Sequence, residues 1–107
     1  MLTGTSFGEI VKALREARQL PLREVADALQ IDTSMLGKIE KNSRKPSRKM
    51  IEQFAAFFDV SEKDLRIAFL SDTVVQQVMD DEDFAPEVLK VAEEKVAYLK
   101  NNKNKEK

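Results

Sequence analysis

Cysteine and histidine are absent from this 107-residue chain. The first absence excludes a disulfide framework and any thiolate metal site. The second removes the imidazole base. Together they exclude Ser-His-Asp and Cys-His nucleophile pairs and zinc sites of the usual ligands. Most enzyme classes fall with them, and the chain is expected to be non-enzymatic, with no catalytic residues, metal or cofactor. Apolar runs of transmembrane length are lacking, as is a basic-then-apolar leader, which predicts a cytoplasmic protein without membrane contact. Only three glycines and three prolines interrupt the chain. Apolar residues recur at helical rather than strand spacing, so the fold is expected to be all-α, with room for a single core.

The net charge of −1 hides an asymmetry. Residues 1–58 carry ten Lys/Arg against seven Asp/Glu, and residues 59–107 carry eight against twelve. Within 35–49, Lys38, Lys41, Arg44, Lys45, Arg48 and Lys49 face Glu40 alone. Such polarity points to a polyanion-facing surface on one half of the molecule, although an ordinary solvated charge run has the same composition.

Six helices are expected. Ser6-Phe7-Gly8-Glu9 has the form of a capping box, opening a helix that buries Phe7, Ile10, Val11 and Leu14 and ends near Arg18. Pro21 breaks the chain, and a second helix starts at about Leu22 with Val25, Ala26 and Leu29 inward. Asp32 is the expected N-cap of a third, running to about Lys41, and Asn42 suits the left-handed stop that follows. Pro46-Ser47 opens a fourth, carrying Met50, Ile51, Phe54, Ala55, Phe57 and Phe58. Ser61 with Asp64 repeats the capping-box form for a fifth helix reaching about Met79, ended by Asp80-Asp81-Glu82-Asp83. Pro86 opens a sixth to about Lys100. The polar tail 101–107 is expected to be disordered.

On a wheel of about 100° per residue, Leu36 and Ile39 share one face of the third helix. Ser34, Gly37, Lys38 and Lys41 share the opposite face, with Thr33 at the N-terminal end. A helix laid in a major groove needs small hydroxyls, a glycine permitting close approach and flanking cations. A plain solvated helix face is the competing reading.

From Ile10 to Leu65 the sequence resembles the Cro/CI-like (XRE) helix-turn-helix family of phage repressors and bacterial regulators. The likeness rests on Ile10, Leu14, Arg15, Arg18 and Leu20, then Leu22-Arg23-Glu24-Val25-Ala26, then Ile31-Asp32-Thr33-Ser34 with Leu36 and Lys38-Ile39-Glu40. It continues through Asn42, Arg44, Pro46-Ser47 and Phe54-Ala55 with Phe57-Phe58-Asp59-Val60-Ser61. The resemblance implies a five-helix lambda repressor-like domain over 1–65, followed by a C-terminal helical extension over 66–100. It implies base contacts from Thr33, Ser34 and Lys38, with Met35, Gly37 and Lys41 near the groove. It further implies phosphate contacts from Asn42, Ser43, Arg44 and Lys45, and a structural ion pair between Arg15 and Glu40. Lys41, Arg48 and Lys49 are phosphate candidates by charge and position only. The family usually has Ser or Thr where Pro21 stands, a phosphate-reaching Gln where Leu22 stands, and Gly where Gln19 stands. Leu22 has no polar group to offer a phosphate, so that role would pass to Arg23 or to backbone N–H groups.

The resemblance implies a double-stranded DNA-binding transcription regulator, a dimeric repressor or autoregulator. The alternative is an antitoxin or adaptor using the same fold to bind a partner protein. The apolar stripes Leu65, Phe69, Val75, Met79 and Val88, Val91, Ala92, Val96, Leu99 could pack the last two helices onto each other and the core, or form a homodimer seam. Asp80–Asp83 lacks the glycine and ligand alternation of an EF-hand loop and is expected to be a solvated turn.

Overall fold

The computed structural model describes residues 5–105, and among them no strand occurs. The helices are α1 (Phe7–Ala17), α2 (Leu22–Leu29), α3 (Thr33–Glu40), α4 (Arg48–Phe58), α5 (Glu62–Val78) and α6 (Ala85–Lys105). A 3-10 turn, Met79–Phe84, lies between the last two. The described residues divide into two compact units between Asp72 and Thr73.

The first unit holds the core. Phe7, Val11, Val25, Leu36, Phe54 and Phe58 are among its buried side chains, drawn from the first four helices, and α5 adds Leu65 and Ala68. Phe7 stands edge-on to Phe54 and to Phe69, with ring centroids 6.0 and 5.9 Å apart, the arrangement aromatic quadrupoles favour. Residues 66–72, assigned from sequence to the extension, therefore pack with this unit. Phe69 lies against Phe7, and Asp72 Oδ2 accepts the Phe7 N–H at 2.7 Å.

Each of the first four helices is followed by a non-glycine residue with positive φ: Gln19 (56°), Gln30 (59°), Asn42 (63°) and Asp59 (54°). Asn42 takes the left-handed stop that its side chain suits. Gln19 adopts the same conformation without the glycine usual there, at a cost of about 1 kcal/mol. The capping box at Ser6 is complete: Ser6 Oγ accepts from Glu9 N–H at 3.3 Å, and Glu9 Oε1 accepts from Ser6 N–H at 3.1 Å. At Ser61 the hydroxyl accepts the Asp64 N–H at 3.1 Å. Ser47, not Pro46, adjoins α4 as its N-cap, with its oxygen accepting the Met50 N–H. Asp32 occupies the N-cap position of α3, but its carboxylate makes no capping hydrogen bond.

The second unit departs further from expectation. The acidic stretch is a 3-10 turn broken at Asp81 (φ −125°, ψ 46°) rather than a simple stop. Pro86 lies in the first turn of α6, but the helix runs on to Lys105, so 101–105 is helical and not a disordered tail; 106–107 lie outside the described residues. Beyond Pro86 there is neither glycine nor proline, and extending an established helix through Lys and Asn needs no new nucleus. None of the described side chains of α6 is buried: Val88, Val91, Val96 and Leu99 are exposed, as are Val75 and Met79 before them. The apolar stripes of this half thus do not close into a core of their own.

Candidate nucleic-acid interface

The position of α3 follows from its two buried anchors. Leu36 and Ile39 are fully enclosed, facing a second helix that buries Val25, Ala26 and Leu29. Ala26 is fully buried on α2, which packs against α3. The turn between them is set by left-handed Gln30, after which the Ile31 N–H donates to Ala26 O at 3.0 Å. Gln53 Nε2 donates to Leu29 O, tying α4 to the end of α2.

The C-terminal end of α3 is fixed by a two-pronged ion pair. Arg15 Nε and Nη2 donate to Glu40 Oε2 and Oε1 at 2.8 and 3.0 Å, while Nη1 donates to Leu20 O at 2.8 Å. The side chains are only 12% and 5% exposed, and the Glu40 carboxylate holds the Arg15 guanidinium above its ordinary pKa. Both expected partners are thus brought together, and the Arg15 fork also satisfies a backbone carbonyl at the α1–α2 turn.

The face opposite Leu36 and Ile39 is open. Thr33, Ser34, Lys38 and Lys41 are exposed, and Gly37 is partly so. A Cβ added at Gly37 would meet nothing within 4 Å, so no neighbour in the chain requires a glycine there. Met35 is half-buried against the core, leaving only part of it toward the open face. The following loop is folded back on α3 through one carbonyl. Lys38 O accepts the Ser43 N–H, the Arg44 N–H and the Ser43 hydroxyl at 2.9, 3.3 and 3.2 Å. Arg44 and Lys45 are exposed on that loop, and Arg23 is exposed at the start of α2. Leu22, by contrast, turns partly into the core.

Asn42 lies on the same loop, but its side-chain amide is engaged within the chain. Its Oδ1 accepts the Gly8 N–H at 3.0 Å and its Nδ2 donates to Ser6 Oγ at 2.8 Å. Gly8, Asp72 and Gln53 are the residues that sequence reasoning passed over. A glycine inside the first turn of a helix was the one available signal, since it weakens the helix unless something approaches closely.

Among the described residues Arg15–Glu40 is the one ion pair. Among those residues, Lys38, Lys41, Arg44, Lys45, Arg48 and Lys49 therefore have no carboxylate within salt-bridge distance. No group of three or more carboxylates among the described residues converges as a metal site, and no described helix is long and apolar enough to cross a membrane.

Among curated proteins none matches this chain. A helix-turn-helix family model matches residues 11–65, from the middle of α1 to the first turn of α5, and includes all of α2, α3 and α4. Half of the chain is thereby covered. The chain belongs to the XRE-type helix-turn-helix family of DNA-binding regulators.

Proposed function

We propose that this chain is a sequence-specific double-stranded DNA-binding transcription regulator, a dimeric repressor or autoregulator that reads the major groove with residues 33–41. The observation that carries this is the exposed α3 face. Thr33, Ser34 and Lys38 project from a helix locked by Leu36, Ile39 and the Arg15–Glu40 pair, beside cations with no internal carboxylate partner.

Lys38 donates to guanine O6 or N7 as a point charge, and Thr33 and Ser34 serve base edges or phosphates. Gly37 lets the backbone of α3 come close to the groove wall, with Met35 and Lys41 flanking. Arg44, Lys45 and Arg23 neutralise phosphates and fix the register without reading sequence. Asn42 and Ser43 act mainly by shaping the loop, since Asn42 braces α1 and the Ser43 hydroxyl is bound to Lys38 O. One such domain covers a half-site, so a dimer would place two copies about 34 Å apart on a two-fold operator and occupy a promoter.

The test is selection of bound duplexes from a random pool at near-physiological salt. Enrichment of a two-fold symmetric site is expected. A folded protein that enriches nothing would overturn the regulator reading and favour the protein-partner alternative.

A further inference from the structure

The residues proposed to face DNA lie in the first unit, whereas the acidic turn and α6 lie in the second. In the second unit, α6 is 21 residues long, which is about 31 Å. Ala85, Leu89, Ala92, Val96 and Leu99 recur on one stripe of it at alternating steps of three and four, the pattern of a two-helix seam. The large members are uncovered: Leu89 is 45%, Val96 57% and Leu99 64% exposed. Helix propensity alone does not hold such a helix in water; burial of its apolar face does.

The charges along this unit say what covers the stripe. Residues 80–94 carry seven Asp/Glu against Lys90, whereas residues 95–103 carry Lys95, Lys100 and Lys103 and no acid. Two copies side by side in parallel would set acid against acid and lysine against lysine along their whole length. Reversing one copy places the Asp80–Asp83 turn and Glu87 against the lysine end of the other. In that orientation the helix dipoles also oppose favourably.

We propose that this chain self-associates through α6, which pairs antiparallel with α6 of a second copy. The register that buries the stripe in both copies sets Leu89 against Leu99 of the second copy, and Ala92 against Val96. The two small alanines lie where the helices approach most closely. Glu93 and Lys95 then each meet their own copy near the two-fold axis, on opposite solvated rims where like charges cost little. The proposal deepens the dimeric regulator reading by assigning its seam.

The chain has no cysteine, so introduced ones report geometry directly. Leu89→Cys and Leu99→Cys variants, one carrying a mass tag, are mixed and oxidised with oxidised glutathione, without DNA. The expected product is the mixed covalent dimer, in excess over either variant joined to itself. Self-joined dimers of each variant in excess would mean a parallel pair, and no covalent dimer would mean no seam here; both overturn the proposal. In parallel, the solution mass of the unaltered chain should be that of a dimer, and Val96→Glu should give a monomer. The unfolding transition of the first unit should stay in place, since Val96 is an exposed residue of the second. A monomeric unaltered chain, or a Val96→Glu chain that remains dimeric, also overturns it. A monomer that still selects a DNA site would leave the regulator function standing and sink only this seam. A crosslinked α6 dimer that selects no duplex would do the reverse.

Discussion

The backbone N–H of Gly8, in the first turn of α1, donates to Asn42 Oδ1 at the stop of α3, 3.0 Å away and 34 residues along the chain. This bond completes an accounting. The first four N–H groups of a helix have no partner inside it. In α1, Phe7 donates to Asp72, Gly8 to Asn42, Glu9 to the Ser6 hydroxyl and Ile10 to the Ser6 carbonyl. The start of α1 thereby holds the end of α3 and the loop that carries Arg44 and Lys45.

Gly8 cannot be replaced without moving backbone. An added Cβ would lie 2.5 Å from the carbonyl oxygens of both Ile39 and Glu40 and 2.6 Å from Asn42 Oδ1. Gly8→Ala should lower stability by about 1–3 kcal/mol, as overpacking does. Asn42→Ala, which leaves the Gly8 N–H without its acceptor, should lower it by about 1–2 kcal/mol. Urea unfolding measures both, and an unchanged midpoint for Gly8→Ala would mean that α1 and α3 are not this close.

Removing either end of the Arg15–Glu40 pair strands the other in a nearly closed site. Arg15→Ala and Glu40→Ala should each destabilise by about 3–5 kcal/mol. Replacing the pair by Arg15→Met with Glu40→Leu should cost far less than the sum of the single changes. A double-mutant cycle by thermal unfolding checks this; strictly additive losses would show that the two side chains do not interact.

Gly37 separates stability from binding. Because its missing side chain leaves open space, Gly37→Ala should stabilise the fold by about 1 kcal/mol through helix propensity. The same change should weaken binding to the selected duplex by adding bulk where the proposed interface brings α3 to the groove. Higher stability with undiminished affinity would remove Gly37 from the interface.

Lys38 and the loop cations should fail in different ways. Lys38→Ala should cost about 1–3 kcal/mol on the selected site and relax preference at one or two base pairs, with a smaller loss on random DNA. Arg44→Ala and Lys45→Ala should weaken binding on all sequences and reduce the salt slope by about 1 each. Titrations at several salt concentrations distinguish the two patterns.

The capping box gives a small pH dependence of known sign. The Ser6 backbone N–H, and secondarily its hydroxyl, hold the Glu9 carboxyl below its usual pKa. A depressed folded-state value means that the contribution is present above the ordinary glutamate range. It is lost as pH falls through the folded value. The difference in melting temperature between the unaltered chain and Glu9→Ala should therefore shrink on acidification below about pH 4. A difference that grows on acidification would contradict the assignment.

Much of the first unit was legible because its signals are local. The Ser6–Glu9 box, the break at Pro21 and the spacing of Val25, Ala26 and Leu29 each act within one or two helical turns. The same holds for Leu36 and Ile39, whose spacing separated the buried face of α3 from the exposed one. Asn42 marked a left-handed stop correctly, whereas Gln30 gave no such signal because glutamine has no intrinsic preference for that conformation. The polarity of the tail after Lys100 points to disorder, yet 101–105 is helical, since low hydrophobicity argues against a core but not against continuing an exposed helix.

For the candidate interface, sequence alone determined which residues share the outward face of α3 and where the cations cluster, because helical period and charge are properties of neighbouring residues. Tertiary structure decided which polar groups remain free to act outward. Asn42 and Lys38 both lie in the basic stretch, yet the Asn42 amide is taken by Ser6 and Gly8 while the Lys38 ammonium has no carboxylate partner among the described residues. It also decided that Gly8 must be a glycine and Gly37 need not be, and that Asp72 belongs with α1. Those outcomes depend on atoms brought together from distant parts of the chain. A hydrogen bond reaches about 3 Å regardless of how many residues separate its partners in sequence.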